Sequence, residues 1–242
     1  MKLVDLTLPS PAENLAGDEA LLDAAESGAG GEVLRFWESP QPFVVVGYAN
    51  KVANEVNVAA CAARRIPILR RCTGGGTVVQ GPGCLNYALV LRIHEDGPTR
   101  SISAANQFIM ERNHAALESA LRPPPSALRV QGHTDLTLNG LKFSGNAQRR
   151  QRQFLLFHGT LLLDFDLALV GELLLMPTLQ PDYRHQRSHE SFLTRLPVSR
   201  NEVKAALAQV WQADAPLSDL PQVRTTALVA EKYSRGEWNF KF

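Results

Sequence analysis

Ten residues concentrate the chemistry of this chain: Arg70, Arg71, Cys72, Thr73, Gly74, Gly75, Gly76, Thr77, Val78 and Val79. Two guanidiniums are followed almost at once by three glycines, and then by a β-branched run that reads as a strand. Consecutive glycines accept positive φ and carry no Cβ, so backbone N–H groups can approach a ligand closely. Such N–H groups form anion-binding concavities, and arginine adds a planar fork that grips carboxylate or phosphate. The stretch reads either as an anion-binding loop or as a glycine-rich turn beside two solvated arginines. A second cluster lies downstream. Gly140, Lys142, Gly145 and Asn146 are followed by His158-Gly159-Thr160-Leu161-Leu162. A lysine between glycines is a point charge that a ligand can reach, whereas a lone lysine on a strand is usually solvated.

The order and spacing of these stretches resemble the lipoate–protein ligase A family, within the wider biotin/lipoate ligase superfamily. The family pattern is Arg-Arg-x-Ser/Thr-Gly-Gly-Gly, then Lys-x-Ser/Ala-Gly, then His-Gly-Thr-Leu-Leu. The segment from Glu13 to Leu22 resembles the family's opening helix. Lys232-Tyr233-Ser234 with Trp238-Asn239 resembles the end of its main domain. The resemblance implies an ATP-dependent ligase that activates lipoate as lipoyl-AMP and passes it to a lysine of a carrier protein. Lys142 is then the catalytic residue, touching the acyl carbonyl and the α-phosphate. Arg71, Gly74, Gly75, Gly76, Thr77, Val78, Val79 and Gly145 hold the nucleotide and acid. Asp135 helps to hold the nucleotide and its Mg2+, against its ordinary use as a turn former. His158 is expected to be a satisfied interior histidine rather than a catalyst. The implied partners are lipoyl carrier domains of 2-oxoacid dehydrogenases or the glycine cleavage H protein.

The chain also departs from the pattern. Val79, Gln80 and Gly81 stand where an aromatic residue and His-Asp are usual. His133-Thr134 replaces Arg-Asn before Asp135, and Cys84 stands where asparagine is common. A smaller C-terminal accessory domain, frequent among bacterial members, is not expected within 1–242, which reads as one catalytic domain. A separate partner would then supply it, or the chain would perform transfer only. An acyltransferase that moves octanoyl or lipoyl groups through a cysteine thioester is the competing reading. It needs an activated thiolate near the lysine, yet residues 129–133 hold no cysteine. Cys72 and Cys84 read as small buried residues. A catalytically silent lipoyl-binding module is the third reading, and biotin is a less fitting substrate.

A chain of 242 residues at 45% hydrophobic content can bury an ordinary core. The formal charge of +1 gives no global reason to expect nucleic acid, and Arg149, Arg150 and Arg152 read as a solvated strand end. Three cysteines without Cys-x-x-Cys spacing suggest neither zinc nor a disulfide framework. No targeting or membrane-spanning run is visible, so a cytoplasmic protein in a reducing compartment is expected.

The elements that must hold these residues follow from local signals. Ser10-Pro11-Ala12-Glu13 is a capping box that opens a helix to about residue 25. Strands are expected at 4–8, 33–37, 43–48, 66–71, 85–91 and 154–163, with Gly47 permitting a close approach. Asn54 is expected to cap a helix over 55–65. Ser103 is expected to open a long helix that Pro123-Pro124-Pro125 stops. Asn139-Gly140 predicts a tight hairpin that carries Lys142 on its return strand. Asp166 is expected to open a helix to 175, Ser199 with Glu202 another, and 223–235 forms the last. Neither a Rossmann fingerprint nor a Walker loop is present. The fold class is therefore α+β, a mixed or antiparallel sheet flanked by helices. The resemblance implies the biotin/lipoate ligase fold, related to class II aminoacyl-tRNA synthetases.

Overall fold

A computed structural model describes residues 1–121 and 127–242. The proline run at 123–125 lies outside the described residues. The chain forms β1 (Lys2–Asp5), α1 (Pro11–Glu26), β2 (Val33–Trp37), β3 (Phe43–Val46), α2 (Val52–Glu55), α3 (Val58–Ala63), β4 (Ile68–Arg70), β5 (Val78–Gln80) and β6 (Cys84–Arg92). It continues with α4 (Ile102–Ala120), β7 (Leu128–Gln131), β8 (Asp135–Leu138), β9 (Leu141–Arg150), β10 (Phe154–Leu162), α5 (Ala168–Leu173), α6 (His189–Phe192), α7 (Arg200–Val210), β11 (Ala215–Pro216), α8 (Gln222–Leu228) and α9 (Gly236–Asn239).

Eight strands form one sheet in the order β11-β1-β2-β6-β10-β9-β8-β7, and three form a small sheet in the order β4-β3-β5. Neighbours in the large sheet are antiparallel from β2 onward, and β1 runs parallel to β2 and β11. The central strands are apolar on both faces because both are covered. On one face Phe36, Leu85, Tyr87 and Phe157 pack under α4 and α7 with Ile109, Met110, Leu117, Val203 and Leu207. On the other, Trp37 packs with Leu15, Ala16 and Ala20 of α1 and with Phe43, Val45 and Leu69 of the small sheet. The site lies on this second face, between α1, the small sheet and the large one.

Both capping boxes form: Ser10 with Glu13 opens α1, and Ser199 with Glu202 opens α7. The strand expected at 4–8 spans Lys2–Asp5 and the one expected at 43–48 ends at Val46, and four helices differ from expectation. The helix foreseen over 55–65 is two short ones, because Val56 turns extended and bridges to Leu174; the side-chain cap comes from Asn57, not Asn54. Ser101 rather than Ser103 caps α4, which starts two residues earlier than foreseen. Asp166 accepts the backbone N–H of Ala168, and α5 is shorter than foreseen. The last helix changes its winding: after α8, Val229–Tyr233 form a π turn closed by Ser234 N–H on the Val229 carbonyl. Among the described residues no helix is long and apolar enough to cross a membrane.

Candidate active site

Strand β4 ends on Arg70 and delivers the glycine loop. Arg70 is fully buried. Its guanidinium donates to the carbonyls of Gly47, Tyr48 and Asn50 at 2.8–3.0 Å and to those of Trp238 and Asn239 at 3.0 and 3.2 Å. Arg71, expected to grip phosphate, is buried and turned toward the loop. Its Nε donates to Thr73 Oγ1 at 2.9 Å and to the Gly74 carbonyl at 3.1 Å, and Nη2 donates to the Gly76 carbonyl at 2.8 Å. Nη1 reaches the Val45 carbonyl of β3 at 3.5 Å, so Arg71 braces the loop from within and ties it to the small sheet. Burial pushes this guanidinium down to about 10. Gly75 has φ of +84°, and a Cβ on Gly47 would overlap the Gly75 carbonyl oxygen, so the close approach expected at Gly47 occurs. Asn50 Nδ2 donates to that same carbonyl at 3.1 Å.

Thr73 links the loop to the large sheet. Its Oγ1 lies 2.7 Å from His158 Nε2, and His158 Nδ1 lies 3.2 Å from Asp18 Oδ2. Asp18 Oδ1 accepts from Arg35 Nη1 at 2.6 Å, with both side chains buried. A carboxylate facing Nδ1 favours the proton there, which leaves Nε2 to accept the Thr73 hydroxyl. His158 is therefore the satisfied interior histidine that was expected.

Lys142 arrives from the other side. Asn139 and Gly140 both have positive φ, +53° and +76°, as a two-residue hairpin turn of this kind requires. Lys142 Nζ lies 2.9 Å from Asp135 Oδ1. The Tyr183 hydroxyl donates to the other carboxylate oxygen at 2.6 Å, and burial followed by the Asp135 charge pushes that phenol far up. A Cβ on Gly145 would stand 2.9 Å from Lys142 Nζ, so the ammonium rests against a bare α-carbon.

Strand register brings these groups onto one face. Trp37, Asn86, Thr160 and Gly145 lie in one row across β2, β6, β10 and β9, and Arg35, Ala88, His158 and Ala147 lie in another. Gly145 and Ala147 make a low, partly open floor, whereas Ala88 is buried in the core with Leu21 and Leu22 of α1. A Cβ on Gly75 would stand 3.6 Å from Ala147 Cβ, so the glycine loop overhangs that floor beside Lys142. Across the gap, Gln80 Nε2 donates to Thr160 Oγ1 at 2.9 Å, and Thr160 donates to Asn86 Oδ1 at 2.6 Å. Val78 packs toward Trp37, whereas Val79 faces away into the core around Val44 and Phe165. Thr77 meets Asn50 at its hydroxyl.

Sequence reasoning missed several groups. Asp18 and Asn50 carried no motif of their own, and Tyr183 was only one member of a long irregular stretch. Arg149 is not solvated as expected: it pairs at 2.8 Å with the buried Glu19, which also accepts from Lys232 and Tyr233 at 2.7 Å. Arg150 donates to the Thr99 carbonyl at 2.8 Å. All three cysteines are buried, and burial pushes each thiol up, that of Cys72 to about 11. Among the described residues no three His, Cys, Asp or Glu side chains gather as a metal site.

The family model for the lipoyl protein ligase A/B catalytic domain matches residues 10–212. The chain is 27% identical to the octanoyltransferase LipM of Halalkalibacterium halodurans, over 99% of this chain and 98% of that one. It superposes with a TM-score of 0.79 on a bi-partite lipoate protein ligase from Thermoplasma acidophilum, at 24% identity over 99% of this chain and 95% of that one. A lipoate-protein ligase A bound with ATP gives a TM-score of 0.78, at 24% identity over 99% and 98% of the two chains. With the family model spanning most of the sequence and the same architecture in both ligases, the chain belongs to the lipoyl protein ligase A/B catalytic-domain family.

Proposed function

We propose that the protein is an ATP-dependent ligase that joins lipoate, or the related octanoate, to a lysine of a lipoyl carrier domain. A carboxylate is a poor electrophile, so the acid must first be activated. Its oxygen attacks the α-phosphorus of ATP, the bond to the leaving pyrophosphate breaks, and an acyl-adenylate results. The carrier lysine then attacks the acyl carbonyl, and AMP leaves. Both steps build negative charge on neighbouring oxygens, which a preorganised cation stabilises. The observation that carries this reading is the Lys142 ammonium, held beside bare Gly145 on the floor that the glycine loop overhangs. Val78, half-buried against the core of Trp37 and Val45, is an apolar surface at hand for an aliphatic chain. The loop's backbone, from Gly74 to Val79, is the surface offered to the nucleotide. Asp135 is the carboxylate at hand for Mg2+, which commonly takes one or two carboxylates plus substrate phosphates; to do so it would release one of its present donors.

The acyltransferase reading is favoured by the likeness to octanoyltransferase LipM over nearly the whole chain. Its thioester step needs a thiolate, and the three thiols here are buried and pushed up. The ligase reading stands on that chemistry. A second chain that assists adenylation fits the bi-partite ligase of the same architecture.

The test follows carrier mass when the purified protein is given ATP, magnesium, lipoate or octanoate, and a lipoyl domain. Acyl attachment that needs ATP and drops on the order of 10²–10³-fold in Lys142→Ala supports the ligase. ATP-independent acylation from an acyl-carrier thioester overturns it in favour of the transferase.

A further inference from the structure

Residues 177–188 make up most of the connection from α5 to α6, and the proposed reaction uses none of them. They pack on α6 and on one another. The Arg184 and Arg187 guanidiniums lie 4.6 and 5.2 Å from the centre of the Phe192 ring, and the Tyr183 ring lies 5.3 Å from it. Arg184 Nε donates to the Arg187 carbonyl and Arg187 Nε to the Arg184 carbonyl, both at 3.0 Å. Between them His185 and Gln186 both hold positive φ, +50° and +58°. Two such residues in succession are costly outside glycine, and strain of this kind gathers at functional segments. The reversal turns Tyr183 and Arg187 toward the β8–β9 hairpin. Arg187 donates to the Gly140 carbonyl at 3.3 Å, and the Tyr183 hydroxyl donates to Asp135 Oδ2 at 2.6 Å. Tyr183 is thus tied to the carboxylate whose other oxygen holds Lys142 at 2.9 Å.

We propose that Tyr183 is a positioning residue for Lys142, acting through Asp135. The proposal rests on the ligase reading. To stabilise the acyl and phosphate oxygens, the Lys142 ammonium must exchange Asp135 for the substrate. An Asp135 carboxylate left without any donor, with its side chain only 15% exposed, would resist that exchange. The Tyr183 hydroxyl stays on the carboxylate when the ammonium leaves. It also shares the carboxylate charge beforehand, so Asp135 holds Lys142 less tightly. The phenol is a donor throughout the neutral range, because burial and the adjacent carboxylate keep it protonated. The lysine is thereby aimed by Asp135 at rest and released at low cost as negative charge builds on the acyl and phosphate oxygens during the reaction.

The experiment is a double-mutant cycle of Tyr183→Phe and Asp135→Asn, read by single-turnover kinetics of adenylate formation in the full chain, with Arg187→Ala alongside. Tyr183→Phe is expected to lower the single-turnover rate roughly tenfold, the loss of one hydrogen bond to a charged group. The half-saturating acid concentration and the melting temperature stay unchanged. In the Asp135→Asn background the same change has no further effect. Arg187→Ala, which cuts the stretch's other tie, produces the same factor in both backgrounds. Equal factors for Tyr183→Phe in both backgrounds, or a change confined to half-saturation, overturn the positioning role. A wild-type protein without ATP-dependent activity fails the ligase reading itself. That failure shows in the wild type, not in the pattern of variants.

Discussion

At the residue scale, the reactivity of Lys142 depends on what is missing beside it. Gly145 offers no side chain, and a Cβ there would meet Nζ at 2.9 Å and the preceding methylene carbon at 3.0 Å. The far end of a lysine can swing away, so Gly145→Ala is expected to displace the ammonium without unfolding the strand. Single-turnover acylation should fall at least about tenfold, while the thermal midpoint stays within a few degrees; equal activity would show that the bare α-carbon is not needed. The thiols give a second prediction. Burial first, then the Glu19 charge, pushes Cys72 up to about 11 from an ordinary value of 9.0. The folded chain therefore holds that proton more tightly than the unfolded one. Stability is intact below pH 9 and is lost as pH rises toward 11. Arg71, pushed down to about 10, acts in the opposite sense at higher pH, so the difference between proteins is the quantity to measure. Urea unfolding from pH 8 to 10.5 should show a shallower alkaline loss in Cys72→Ala than in the wild type. Parallel curves would contradict it. Lys142 and Gly145 were legible in the sequence because they lie three residues apart in one motif. The phenol that completes their surroundings stands 48 residues from Asp135, and no local pattern announces it.

The elements were legible wherever a local signal decides them. Ser10 with Glu13 and Ser199 with Glu202 are side-chain caps written within four residues, and both form. Asn139-Gly140 specifies a turn with two positive φ values, and the hairpin follows. Boundaries set by distant partners were not legible. Val56 leaves the helical region to bridge Leu174, which splits one expected helix into α2 and α3. Arg71 shows the same limit within the site. Its residue type and its glycines promise a phosphate grip. Its direction, however, is set by the carbonyls of Gly74 and Gly76, which turn inward to the buried guanidinium although the three glycines themselves are exposed. A guanidinium that organises the loop serves an anion at one remove, by fixing the backbone that faces it.

At the scale of the whole molecule, the site exists because a small sheet closes over a large one, and Arg70 is what joins the parts. It belongs to β4, and its five carbonyl acceptors come from two separate places. Gly47, Tyr48 and Asn50 follow β3, and Trp238 with Asn239 lie in α9. Asn239 Oδ1 accepts the Arg70 N–H at 2.9 Å, and Trp238 Nε1 donates to the Arg70 carbonyl at 2.8 Å, which completes the clasp. The same Asn50 donates through its side chain to Gly75, so the clasp reaches the glycine loop. Arg70→Met keeps most of the volume and removes every donor. Several buried carbonyls would then lose partners at about 1–3 kcal/mol each, partly recovered by relaxation and water. A net loss of about 3 kcal/mol or more is expected, a large share of an ordinary folding stability. Denaturant unfolding checks the magnitude. Native-state hydrogen exchange checks the location, because protection at residues 236–240 should fall first. Activity should fall further than the unfolded fraction explains, since the backbone at residues 47–50 also positions the Gly75 carbonyl. Retained protection in α9 would show that its packing against Tyr233 and Tyr48, rather than Arg70, holds the end of the chain to the loop.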